Sequence, residues 1–149
     1  MKKALLLTIA LMSSGSVFAN ATAQSFDEAL QSVQSNWAKA NYAEQDVRKA
    51  EFPALLESAE QLTKQYPDKA EAWIWHGIVQ SSYAGVKGGM GALSVARNAK
   101  EALETALEID ENALDGSAHT SLGVLYFKVP GWPLSFGDDD EAEEHLKKH

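Results

Sequence analysis

The chain has 149 residues, with 13 Lys and Arg against 21 Asp and Glu, a formal net charge of −8, and no cysteine. That acidity, with no basic patch to override it, argues against nucleic acid and anionic membrane surfaces as partners. The missing cysteines exclude disulfide staples and thiol chemistry, so the fold has to rest on its apolar core.

Residues 1–23 open with Lys2 and Lys3, continue through an apolar run from Ala4 to Met12, and end in small residues around Ala19 and Ala23. This is the layout of a secretory signal peptide, with cleavage after Ala19 or Ala23, and it predicts a periplasmic or secreted protein. The apolar run is shorter than the ~20 residues that span a bilayer, so no membrane insertion is expected after cleavage. Removal of Lys2 and Lys3 leaves 11 basic residues against 21 acidic ones, a net charge of −10. The remaining residues, 24–149, are expected to form one helical domain.

Phe26, Ala29, Leu30, Val33 and Trp37 fall at three- and four-residue steps and predict an amphipathic helix, with Ser25 and Glu28 spaced as a capping box. From Phe52 to Tyr66 a second stripe runs through Leu55, Leu56, Ala59 and Leu62, and Pro53 suits a first helical turn. A third helix follows Pro67. Gly85, Gly88, Gly89 and Gly91 then lie within seven residues, which reads as a flexible loop. Val95, Ala99, Ala102, Leu103, Ala106 and Leu107 form the clearest stripe in the chain. Ala118 to Tyr126 predicts a fifth helix that stops before Pro130, and a sixth begins around Asp138 to Asp140. No strand pattern of useful length occurs. Because "DDDEAEEHLKKH" is still in helical register at His149, the sequence reads as cut inside its last helix.

The segments "KAEAWIWHGIVQ" and "GSAHTSLGVLYF" superpose with Gly77 on Gly123 and Gln80 on Tyr126. From Phe52 onward the chain resembles the tetratricopeptide repeat family, whose first helix carries an aromatic, then Leu-Gly, then Tyr at these steps. Ala99, Leu103, Ala106 and Leu107 take the family's small and large second-helix positions, and Ala142 and Leu146 repeat the pattern. The resemblance implies an all-α fold of antiparallel helix pairs stacked as a solenoid. The chain departs from it in placing Ala99 22 positions after Gly77 and Ala142 19 positions after Gly123, where the family uses a tight turn. These read as enlarged intra-repeat loops, "YAGVKGGMGALS" and "KVPGWPLSFG", emerging on one edge of the array. Export and enlarged turns together also resemble the helical-repeat component of periplasmic tripartite transporters.

Chemistry-bearing motifs are sparse. The acids from Asp138 to Glu144 lack the spaced loop of a calcium site and suit a helix start, where the dipole favours negative charge. Lys87 within its glycines lacks the G-K-[ST] step and preceding strand of a phosphate loop. His76 and His119 have no second ligand at i+3 or i+4, so no metal and no cofactor are expected. Without a cysteine nucleophile or a G-x-S-x-G elbow, the chain is not expected to be an enzyme. Trp132, between Gly131 and Pro133, is either a plug tucked onto the helices with Val129, Leu134 and Phe136 or an exposed anchor, and the plug is the expectation.

The expected function is that of a scaffold binding a protein or peptide partner. The resemblance implies a groove of first-helix residues, which here are Glu71, Ile74, Ile78, Ser81 and Ser82 in one repeat and Ser117, Thr120, Val124, Phe127 and Lys128 in the next. The alternative, a small-molecule carrier or docking component of a transport system, predicts a closed cavity near Trp132, Phe136 and the Gly85 to Gly91 segment.

Overall fold

The computed structural model describes residues 24–148. The signal segment 1–23, with both cleavage positions, and His149 lie outside them. Six helices follow one another: α1 Phe26–Asn41, α2 Gln45–Gln65, α3 Ala70–Lys87, α4 Gly89–Ile109, α5 Ala113–Lys128 and α6 Asp139–Lys147. The fold class is all-α, with contacts mostly between successive helices and two further packings, α1 on α3 and α3 on α5.

α1 starts as its sequence predicts. The Ser25 hydroxyl accepts from the Glu28 N–H, and the Glu28 carboxylate accepts from the Ser25 N–H, satisfying two donors that have no partner within the helix. α6 is capped by Asp138, whose carboxylate accepts from the Asp140 and Glu141 N–H groups. Asp139, Asp140 and Glu141 in its first turn face the positive end of the dipole.

α3 lies at the centre and divides the interior into two apolar clusters. Ala72 and Val79 pack with Phe52, Ala59 and Leu62 on the α1–α2 side. Ala70 and Ile74 pack with Leu103, Ala118 and Leu122 on the side of α4 and α5. A helix buried on two faces accounts for the mixed apolar pattern of its sequence.

The helix pairs α3/α4 and α5/α6 close on the same contact. A Cβ on Gly77 would lie 2.5 Å from Leu103 Cγ and 3.2 Å from the Ala99 carbonyl oxygen. A Cβ on Gly123 would lie 2.6 Å from Leu146 Cγ and 3.1 Å from the Ala142 carbonyl oxygen. Both glycines bring two helices closer than any side chain allows, as the tetratricopeptide resemblance implies.

Three expectations need correction. α2 begins at Gln45, not at Phe52, so Pro53 sits inside the helix. Pro53 removes one backbone hydrogen bond, and the burial of Phe52 and Leu55 beside it holds the helix straight through. The Gly-rich stretch is not a loop: α3 runs to Lys87 and α4 starts at Gly89. Gly88, at φ 63° and ψ 178°, and Gly89, at φ 61°, reverse the chain in a region that only glycine enters easily.

The third correction concerns Trp132, which is 90% exposed and is no plug. Its loop, residues 129–138, is nonetheless held in place. The Gly137 N–H donates to the Pro130 carbonyl and the Asp138 N–H to that of Tyr126, at 3.0 and 3.1 Å. A Cβ on Gly137 would collide with the Val129 carbonyl oxygen. Phe136 packs edge-on to Tyr126 at 5.5 Å, and Arg97 of α4 donates to the Leu134 carbonyl. Val129 and Phe136 do join the core, whereas Leu134 stays exposed with Trp132.

Candidate functional site

The last turns of α3 run beside the start of α4 and the second half of α5, and the chain leaving α5 passes over the same place at Val129 and Pro130. Between them is a depression of about 560 Å³. Its lining includes Ile78, Ser81, Ser82 and Gly85 from α3, Ala92, Leu93 and Ala96 from α4, Thr120, Ser121, Val124 and Lys128 from α5, and Arg48 from α2. This volume lies in the range of pockets that hold small molecules.

Six of the ten residues expected in a groove line this depression: Ile78, Ser81, Ser82, Thr120, Val124 and Lys128. The other four do not. Ile74 is fully buried in the core and presents nothing to a partner, because α3 is covered on both faces. Glu71 and Ser117 lie towards the opposite ends of their helices, and Phe127 is 69% exposed beyond the rim. The depression therefore occupies only the C-terminal halves of α3 and α5. Trp132 and Phe136 are absent from its walls, and Lys87 instead reaches across Gly91 with its ammonium 5.8 Å from the Tyr83 ring. The depression is not the closed cavity expected near Trp132 and Phe136: it is open on one side, and Val129 and Pro130 bound it in their place.

The polar groups of the depression are incompletely paired. Arg48 Nε, Ser81 Oγ and Thr120 Oγ1 are screened from solvent and have no hydrogen-bond partner among the described residues. Leaving a buried polar group unpaired costs about 1–3 kcal/mol. Ser82 is different: its hydroxyl accepts from Trp37 Nε1 at 2.9 Å, which ties α1 to the rim. Arg48 was outside the sequence expectations because α2 was started at Phe52. The run of helix-forming residues from Gln45 to Glu51 was the available signal.

Two histidine clusters stand apart. His119 Nδ1 and His145 Nδ1 are 2.9 Å apart, joining α5 to α6, and His145 stacks on Tyr126. Burial holds His145 below the ordinary imidazole value, with the nearby His119 acting in the same direction. His76 is also lowered by burial, opposed by the Glu60 carboxylate, and Gln80 Nε2 lies 3.1 Å from its Nε2. Among the described residues no group of three or more His, Cys, Asp or Glu is arranged to hold a metal ion. No helix of the described residues is long and apolar enough to cross a membrane.

Comparison of the chain with protein-family models, with curated proteins and with solved structures found no match.

Proposed function

We propose that the chain is an exported, tetratricopeptide-like binding module that carries a small molecule in the depression between α3, α4 and α5. The observation that carries this reading is convergence. The C-terminal part of the expected groove and the chain leaving α5 bound one concavity of ligand size. A peptide-binding groove would use the whole length of the first helices, and Ile74 is buried while Glu71 and Ser117 lie off the lining. The walls contain no histidine or carboxylate, the groups most used for proton transfer, which favours binding over catalysis.

Native mass spectrometry of the protein purified from the periplasm of its own host tests the carrier. A bound molecule of discrete small mass is expected. A protein that arrives bare, or carrying a polypeptide, sinks the reading.

A scaffold for a protein partner is the second reading, and one observation favours it. Trp132, Leu134 and Phe127 are exposed apolar side chains, the first two on a loop that is hydrogen-bonded to itself and to α5. Exposed aromatics on a fixed backbone are efficient anchors because little ordering remains to be done on binding. Substitution of Trp132 and Phe127 by Asp abolishes capture of a partner on this reading, with helix content unchanged by circular dichroism.

A further inference from the structure

The depression differs chemically from the chain around it. In a protein with 21 Asp and Glu against 13 Lys and Arg, its walls hold Arg48 and Lys128 and no carboxylate. Neither cation forms an ion pair among the described residues. The three unpaired polar atoms, Arg48 Nε, Ser81 Oγ and Thr120 Oγ1, belong to residues of α2, α3 and α5 that all line this depression. Each of them can donate a hydrogen bond. Ser82, whose oxygen accepts from Trp37, keeps its own O–H to donate. What the site lacks is an acceptor carrying negative charge. The rest of the wall adds the polar Asn41 and Ser121 to a mainly apolar surface that includes Ile78, Leu93, Val124 and Leu125.

We infer that the depression takes a small organic monocarboxylate with an apolar body. The carboxylate accepts from Arg48, Ser81 and Thr120, Lys128 adds positive charge, and the body lies on Ile78, Leu93 and Val124. An ionised carboxylate is acceptor-only, with two oxygens and about four lone-pair positions, so it satisfies several convergent donors at once. An amide or alcohol of the same length brings its own donors and leaves the cations uncompensated. The inference rests on the carrier reading above.

Calorimetric titration of the full-length protein's exported form with octanoate and with octanamide separates the two levels. Octanoate is expected to bind about tenfold more tightly than octanamide, since charge-assisted hydrogen bonds are roughly twice as strong as neutral ones. Arg48→Gln lowers octanoate affinity about tenfold and leaves octanamide unchanged, and Arg48→Lys recovers part of the loss. Ala92→Trp fills the depression and abolishes both. Val124→Trp, at an exposed position, serves the same purpose if the first variant does not fold.

Equal binding of the two probes, both blocked by the tryptophan variants, overturns the carboxylate assignment while the depression stands as the site. Octanoate binding indifferent to Arg48→Gln and to both tryptophan variants, or no binding of either probe, overturns the site itself. Inorganic phosphate or an apolar peptide that binds more tightly than octanoate overturns the small-acid class.

Discussion

The pairs α3/α4 and α5/α6 share one packing contact and then part ways. In each, a glycine meets a leucine four residues after an alanine whose carbonyl lines the same contact, Gly77 with Ala99 and Leu103, Gly123 with Ala142 and Leu146. In each, more residues separate the two halves than a tight turn needs. The first pair spends the surplus on helix: α3 and α4 both lengthen, and Gly88 and Gly89 turn the chain. The second pair spends it on an irregular loop, because Pro130 and Pro133 cannot supply helix hydrogen bonds and the chain has to find them elsewhere. A surplus of similar size thus lengthens helices that line the depression in one pair and builds a loop bearing Trp132 in the other. The lesson is that an insertion's backbone chemistry, more than its length, decides whether it becomes scaffold or display.

The largest expected effect tests whether the shared contact carries equal weight. Leu103 is fully buried, so Leu103→Ala should cost about 2–5 kcal/mol in urea unfolding. Leu146 is 48% exposed, and Leu146→Ala should cost less than about 1 kcal/mol. Equal losses would mean that the second pair is as tightly closed as the first.

A methyl group on either glycine probes the same difference from the other side. Gly77→Ala is expected to cost about 1–3 kcal/mol, as overpacking does, because Leu103 is enclosed and cannot yield. Gly123→Ala should cost less, since the half-exposed Leu146 is free to swing outward. A larger loss at Gly123 would reverse the ranking of the two contacts.

At the turn itself, Gly88→Ala has open space but the wrong backbone region, and about 1–3 kcal/mol of strain is the expected penalty. A variant as stable as the parent would show that α3 and α4 do not depend on this reversal.

Acid should weaken both pairs, through His76 in the first and His145 in the second. Burial lowers both imidazoles, so each binds fewer protons folded than unfolded. Stability from these groups is complete above the unfolded value, about 6.5, and is lost as pH falls through that value towards the folded ones. His145→Gln should flatten the acid limb of stability between pH 7.5 and 5, read by thermal melts. An unchanged limb would place the proton uptake elsewhere.

Least of all should follow from Trp132→Ala. At 90% exposure, a stability change within about 0.5 kcal/mol is expected, against a clear loss if the side chain were tucked onto the helices.

Much of this architecture was legible in advance. Three- and four-residue stripes and proline or acidic boundaries located the helices, Ser25 and Glu28 marked the first start, and the tetratricopeptide resemblance implied close packing at Gly77 and Gly123. Glycine spacing misled at Gly85 to Gly91, since glycine lowers helix propensity by only about 1 kcal/mol and the packing of α3 on α4 outweighs it. Pro53 misled for a related reason: one missing hydrogen bond is tolerated where Phe52 and Leu55 are buried.

What the sequence alone determined is therefore the helical period and the caps, which depend on residues within a few turns of one another, and the acidic balance, which is composition. The tertiary structure decided which side of each helix is covered. It buried Ile74, turned Trp132 to solvent, and brought Arg48, Ser81 and Thr120 from three helices to one depression. Those outcomes depend on contacts between residues distant along the chain, and no local pattern of polarity encodes how three separate helices will meet.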